Sequence, residues 1–111
     1  MSEFDLNKVL KIVDNDKQLA VSLTKMFVEQ SREDFAILIN AKNNEDHETI
    51  GKIAHKMKSS VATLGMTDTA DYLKKIEFAV KSGKSIPEME NDIQLASTML
   101  EEIYIDIQNT I

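Results

Sequence analysis

The sequence has 111 residues, with 42% hydrophobic and 29% charged residues and a formal net charge of -6 at pH 7. This length fits one domain, spanning residues 1–111, and leaves no room for a separate catalytic domain. The acidic balance argues against nucleic-acid binding, which usually needs a basic face. No apolar run approaches the ~20 residues of a membrane span. Cysteine and a secretory signal are both lacking, so we expect a cytoplasmic protein that binds other proteins.

The first half of the chain predicts helices, because apolar residues recur at spacings of three and four. A short first helix is predicted from Asp5 to Val13. Asp16 can cap a long second helix that runs from Lys17 to about Ala41. The apolar stripe of this second helix consists of Leu19, Leu23, Met26 and Phe27.

The second half continues the helical pattern, and no stretch alternates apolar and polar residues for long enough to form a strand. A third helix follows the turn at residues 43–46 and ends near Leu64, where Gly65 suits a left-handed position. A fourth helix runs from about Thr67 to Lys81, and a fifth extends from Pro87 toward Gln108. The apolar stripe of the third helix consists of Ile50, Ile53, Ala54, Met57, Val61 and Leu64.

The short connections predict an all-α fold, because they force neighbouring helices to be antiparallel. Helices two to five most simply form an up-down-up-down four-helix bundle, with the short N-terminal helix as a lid. Such a bundle can bury its apolar stripes within one chain, so a monomer is expected. The methionines beyond the terminus are mostly interpreted as core residues that fill gaps.

His55 lies on the side of the third helix opposite its apolar stripe, roughly 150° from the centre of that stripe at ~100° per residue. The side chain is therefore predicted to face water. Gly51, Ser59 and Ala62 are small residues on the same surface strip. Glycine inside a helix costs about 1 kcal/mol relative to alanine, and close approach of another protein is one explanation for Gly51.

The chemistry of His55 is that of a nucleophile, because neutral imidazole is available near neutral pH. Lys52 and Lys58 lie three residues to either side of it. A nearby ammonium can stabilise a phosphoryl group, and Lys58 is the preferred partner, with Lys52 a weaker one. The alternative is that His55 and the lysines form an ordinary solvated face.

The segment Ala54–Gly65, with the sequence AHKMKSSVATLG, resembles the signature of histidine-containing phosphotransfer (HPt) domains. That signature has alanine before the histidine, lysine three residues after it, a small residue four after it and glycine ten after it. The matching residues are Ala54, His55, Lys58, Ser59 and Gly65. Phe27 and the pair Ile76–Glu77 also match family positions, so the resemblance covers nearly the whole chain. Serine at position 59 departs from the commoner glycine but is also small.

The resemblance implies a histidine phosphotransfer protein of a multistep two-component phosphorelay. His55 would accept a phosphoryl group from the aspartyl phosphate of one receiver domain, in a response regulator or a hybrid sensor kinase, and pass it to another. The magnesium ion and most of the catalytic machinery would belong to the receiver, so no cofactor or metal is expected on this chain. The chain would be a phosphocarrier without autonomous kinase activity.

Glu77 is a carboxylate within the apolar stripe of the fourth helix. The resemblance implies that it lies beside His55, accepts a hydrogen bond from one ring nitrogen and leaves the other free for attack. Alternatively, Glu77 lies at the bundle boundary and extends into solvent. The other histidine, His47, is interpreted as a solvated residue at a helix start. It lies ~12 Å from His55 along a helix axis, too far to share a metal ion.

Two other functions also fit a helical bundle with an exposed histidine. A dimerisation domain of an autokinase usually has an acidic residue directly after its histidine, but here that residue is Lys56, and no ATP-binding domain follows. An adaptor that binds receiver or kinase domains without phosphotransfer is the second alternative, although the presence of both His55 and Lys58 argues against it. Met1 favours a free-standing protein, but a domain excised from a hybrid kinase would look the same.

Overall fold

The computed structural model describes residues 2–111 and contains five α-helices in that range. Their bounds are α1 Leu6–Ile12, α2 Lys17–Asn43, α3 His47–Thr63, α4 Thr67–Lys81 and α5 Ile86–Thr110. No strand occurs within residues 2–111, so the all-α prediction is confirmed. Met1, the residue that favours a free-standing protein, lies outside the described residues. None of the described helices is long and apolar enough to cross a membrane.

Carboxylate side chains start three of the helices by accepting hydrogen bonds from backbone amides of the first turn. Asp5 accepts from the amide of Asn7 at 2.9 Å, and Asp16 accepts from that of Leu19 at 3.1 Å. Asp46 accepts from the amide of Thr49 at 3.1 Å. The cap predicted at Asp16 is therefore confirmed, and Asp46 makes α3 begin at His47.

The ends of α3 and α4 are both turned by a glycine in the left-handed region, with φ of 83° at Gly65 and 74° at Gly83. After Gly65, the amide of Met66 donates back to the carbonyl of Val61 at 2.9 Å. These turns are short enough to make α4 antiparallel to α3 and α5 antiparallel to α4.

The four long helices form a closed bundle. Helix α3 packs against α2 and α4, while α5 packs against α4 and α2. The described residues span 43 × 21 × 20 Å. Helix α1 lies against α2, and Lys8 Nζ donates to the carbonyl oxygen of Gly65 at 3.2 Å. The predicted four-helix bundle with a short N-terminal helix is therefore confirmed.

The buried face of α3 agrees with the predicted stripe, except that Ile53 is only half-buried. The face of α2 differs, because Leu19 is 45% exposed and Met26 is 63% exposed. The prediction that a monomer buries all its apolar stripes is therefore wrong for α2, and Met26 is not a core residue. A different set of residues at helical spacing faces the core: Ala20, Thr24, Phe27, Ser31, Asp34, Leu38 and Ala41.

Polar residues on this face of α2 are stable in the core because each has a partner. Thr24 Oγ1 donates to the carbonyl of Ala20 at 2.8 Å. Ser31 and Tyr104 share a hydrogen bond between their hydroxyls. Lys56 Nζ lies 3.1 Å from Asp34 Oδ1, so the buried carboxylate is paired with an ammonium from α3. Apolar spacing alone did not identify this face.

Ser2 and Glu3, which precede α1, also form hydrogen bonds with the bundle. Helix α4 has no cap from its own N-cap residue, Met66, and instead the Glu3 carboxylate accepts hydrogen bonds from the amides of Asp68 and Thr69. Ser2 Oγ donates to Asp106 on α5 at 2.7 Å. These contacts join residues more than sixty positions apart, so the sequence pattern did not predict them.

Replacement of Gly65 by alanine should lower the free energy of unfolding by about 1–2 kcal/mol, because a side chain is strained at positive φ. A β-carbon at this position would also lie 2.7 Å from Lys8 Cδ, so the Lys8 side chain must shift. Gly83→Ala is the matched control, because Gly83 has a similar φ of 74° but open space around its β-carbon position. Urea denaturation should show the larger loss for Gly65→Ala. Equal losses would mean that the Lys8 contact contributes nothing.

Candidate functional site

His55 projects from α3 with 61% of its side chain exposed. Its neighbours Ala54 and Met57 are buried in the bundle core, at 0% and 1% exposure, and they set which face of α3 is turned outward. The prediction that His55 faces water agrees with this geometry.

Glu77 on α4 lies directly beside the imidazole. Its Oε2 is 2.8 Å from His55 Nδ1, and only 10% of the Glu77 side chain is exposed. Glu77 therefore lies beside His55 and does not extend into solvent. The pairing crosses the interface between α3 and α4, so the packing of these two helices determines the orientation of the ring.

The short contact between Glu77 and His55 determines which ring nitrogen carries a proton. An ionised carboxylate only accepts hydrogen bonds, so Nδ1 must donate to Glu77 Oε2. In the neutral ring, Nε2 then holds the lone pair, and it is the nitrogen available for attack on an electrophile. Lys58 Nζ also lies 3.4 Å from Nδ1. That longer contact cannot be a hydrogen bond to a protonated Nδ1, and the ammonium instead binds the carboxylate.

Two lysines neutralise the Glu77 carboxylate. Lys58 Nζ, from α3, lies 2.9 Å from Oε1, and Lys81 Nζ, from α4, lies 3.4 Å from Oε2. The hydrogen bond from Lys58 is the main cause that lowers the pKa of Glu77 from 4.5 to about 2. Burial acts in the opposite direction, and the hydrogen bond from His55 adds to the lowering. Glu77 is therefore ionised at neutral pH.

Lys52, the weaker of the two predicted cations, is differently placed. Its Nζ lies 2.9 Å from the carboxylate of Glu48 one turn earlier on α3, and 73% of its side chain is exposed. It still borders a shallow recess beside the imidazole. The recess lies between α3 and α4 and is lined by Gly51, Lys52, His55, Glu77, Val80 and Lys81.

The small residues around His55 have different surroundings. A β-carbon at Gly51 would lie 3.2 Å from Val80 Cγ1, so this glycine lets α4 approach α3 closely. Ser59 and Ala62 are both exposed, and the Ser59 hydroxyl donates to the carbonyl of His55 at 3.3 Å. Both are small side chains on the surface beyond the ring.

His47 lies apart from this group as the first residue of α3, with Nδ1 3.2 Å from the carbonyl oxygen of Glu45. Residues 2–111 contain no cluster of three or more histidine, aspartate or glutamate side chains that could hold a metal ion.

The sequence interpretation missed Lys81. Its spacing of four residues after Glu77 is the signal that could have identified it, because residues four apart share one face of a helix. The candidate site therefore consists of His55 and Lys58 from α3, together with Glu77 and Lys81 from α4.

Comparison with solved structures shows the same fold in two proteins. Histidine-containing phosphotransfer protein B (HptB) from Pseudomonas aeruginosa PAO1 has a TM-score of 0.86 and 19% identity, over 96% of this chain and 92% of that chain. The HPT domain from the Hpt sensor hybrid histidine kinase of Shewanella has a TM-score of 0.82 and 19% identity, with the same coverage of 96% and 92%. No curated protein sequence matches the chain.

A sequence-family model described as the Hpt domain matches residues 22–106. The match contains the whole of α3 and α4 and therefore all four residues of the candidate site. It also covers well over half of the 111 residues. This chain belongs to the Hpt domain family.

Proposed function

We propose that this chain is a phosphocarrier in which His55 accepts a phosphoryl group from the aspartyl phosphate of one receiver domain and passes it to another. Membership of the Hpt family supports a phosphotransfer role in two-component signalling. The observation that carries the assignment to His55 is its asymmetric ring. Nδ1 is bound to a buried carboxylate at 2.8 Å, while 61% of the side chain is open to a partner.

The transfer step uses the Nε2 lone pair. Nε2 attacks phosphorus, the N–P bond forms, and the P–O bond to the donor aspartate breaks so that the aspartyl carboxylate leaves with the electron pair. The proton on Nδ1 stays in place, so the ring becomes cationic. That positive charge develops against ionised Glu77, which stabilises it without first having to reorganise. Attack by the carboxylate of a second receiver reverses the same step.

Lys58 is the residue that we propose stabilises the phosphoryl oxygens. It lies three residues after His55 on α3, and 26% of its side chain is exposed. Its ammonium is held by Glu77 at 2.9 Å and lies 3.4 Å from Nδ1. Rotation of its long side chain can carry the charge from the carboxylate to a phosphoryl group on Nε2, where charge-assisted hydrogen bonds form.

The proposed receiver partner supplies the metal ion for the transfer. We propose that the magnesium ion, which neutralises charge on the phosphoryl group during transfer, is bound by the receiver. The low surface around His55 admits such a partner, with Ser59 and Ala62 beyond the ring and Gly51 in the recess. One of the two similar solved structures is a phosphotransfer protein, and the other is a domain of a hybrid histidine kinase. Both settings suit the proposed reaction.

Replacement of His55 by glutamine should abolish labelling of the chain by a receiver that carries radiolabelled aspartyl phosphate. Glutamine has no nucleophilic nitrogen, and the exposed position should keep the helical content intact. Gel autoradiography measures the transfer, and circular dichroism measures the helical content. Undiminished labelling of the variant would contradict the assignment of the site.

His47→Gln is the matched control and should be labelled like the unchanged chain. The label on His55 should also be lost in acid, because a phosphoramidate is acid-labile, whereas phosphate on Ser59 or Ser60 would survive. If the chain binds the receiver but takes up no label, it acts as an adaptor and not as a phosphocarrier.

Lys58→Ala should reduce the rate of transfer to His55 roughly tenfold, less than the loss of a fixed, water-excluded donor, because water screens the charge of this partly exposed lysine. Quenched-flow measurement of label uptake gives the rate. Lys52→Ala removes the same charge at the same sequence distance from His55, but Lys52 is bound to Glu48. The transfer rate should therefore fall less for Lys52→Ala than for Lys58→Ala. Equal rates for Lys58→Ala and the unchanged chain would remove Lys58 from the mechanism.

Glu77→Gln should make stability less sensitive to acid. The pKa of Glu77 is about 2 in the folded chain against 4.5 ordinarily, so its ionisation stabilises the fold above about pH 4.5 and this contribution is lost as pH falls toward 2. Between pH 6 and pH 3, the free energy of unfolding should fall by roughly 1–2 kcal/mol less in the variant, as measured by urea denaturation. Glu102→Gln, on the exposed face of α5, controls for removal of a carboxylate. Equal slopes for both variants would contradict the role of Glu77.

A further inference from the structure

The Glu77 carboxylate has two ammonium partners that differ in position. Lys58, on α3, contacts Oε1 at 2.9 Å and is 26% exposed. Lys81, on α4, contacts Oε2 at 3.4 Å and is 72% exposed. Lys81 is four residues after Glu77 on the same helix, so its distance from the carboxylate does not depend on how α3 and α4 pack.

Phosphorylation of His55 gives the Lys58 ammonium a second possible partner. Before transfer, its ammonium forms an ion pair only with Glu77 among residues 2–111. After transfer to Nε2, a dianionic phosphoryl group competes for the same ammonium, and movement of Lys58 leaves Glu77 Oε1 without its partner. A carboxylate with 10% of its side chain exposed is costly to leave unpaired. The phosphorylated ring remains one cationic partner of Glu77 through Nδ1, and Lys81, 3.4 Å from Oε2, is the second cation that stays within reach of the carboxylate.

We propose that Lys81 is the positioning residue that keeps Glu77 ionised and directed at Nδ1 while Lys58 is bound to the phosphoryl group. The inference rests on the proposed function and extends it. Lys81 acts through Glu77 and holds the carboxylate against the cationic phosphorylated ring. Lys58 thus moves to the phosphoryl group, whereas Lys81 stays at the carboxylate.

A small phosphoryl donor isolates this role from the docking of a receiver. With phosphoramidate as the donor, Nε2 attacks phosphorus, the N–P bond to His55 forms, the donor P–N bond breaks and ammonia leaves with the electron pair. Initial rates of labelling should be compared among the unchanged chain, Lys81→Gln and Lys81→Arg. Lys74→Gln is the matched control, because Lys74 also lies on α4 and takes part in none of the ion pairs found within residues 2–111.

The loss of Lys81 should lower the labelling rate roughly threefold, in the range of a partly exposed ion pair, and arginine should restore it. The second measurement is the ¹⁵N chemical shift of His55 Nδ1, before and after phosphorylation. Before phosphorylation, Lys58 still holds Glu77, so Lys81→Gln should change the shift little. After phosphorylation, the shift should differ clearly from that of the unchanged chain.

The outcomes separate this inference from the proposed function. If Lys81→Gln and Lys74→Gln give the same rates and the same phosphorylated spectrum, Lys81 has no positioning role. Equal changes of the Nδ1 shift in both states would also overturn the inference, because they would show a structural effect independent of phosphorylation. If the unchanged chain takes up no acid-labile phosphate on His55, the proposed function itself fails, before any variant is compared.

Discussion

The buried carboxylate of Glu77 is the constraint on which the site depends. It lies within the interface between α3 and α4, where an ionised group is stable only if it is paired. Three nitrogen groups provide that pairing: His55 Nδ1, Lys58 Nζ and Lys81 Nζ. The requirement to compensate one charge thus orients the imidazole, draws in the lysine nearest to it and leaves Nε2 as the free nitrogen. Compensation of the Glu77 charge thus explains the arrangement of all four residues.

The packing of the bundle brings the two helices of the site together. Helices α3 and α4 pack closely at Gly51, where a β-carbon would lie 3.2 Å from Val80, and this approach brings Glu77 within 2.8 Å of His55. The Glu3 carboxylate caps the start of α4. The Gly51–Val80 contact borders the recess beside the imidazole, whereas Glu3 acts at the start of α4, and both contribute to the packing of the two helices that carry the site. Gly51 therefore acts in helix packing, in addition to leaving the surface low.

The sequence predicted the helices and the exposed position of His55 because both follow from local periodicity. Capping at Asp16 and the turn at Gly65 were predictable for the same reason. The core face of α2 was not, since Ser31 and Asp34 are buried through partners on α5 and α3, and only the assembled bundle brings these partners together. Glu3 as a cap for α4 likewise depends on contact between distant segments. Residue spacing describes one helix at a time, whereas these features belong to pairs of helices.

In the proposed function, the two sides of the imidazole divide the tasks of a carrier that both accepts and releases a phosphoryl group. A nitrogen buried with the carboxylate would be inaccessible to a partner, and a ring without the carboxylate would lose stabilisation of its positive charge. With Nδ1 against Glu77 and the outer side of the ring exposed, one residue satisfies both needs. The proposed reaction also requires moderate stabilisation, because a phosphohistidine held too firmly could not return its phosphoryl group to a second carboxylate. The exposed Lys81 suits this balance, since water screens its charge and limits the energy of its contact with Glu77.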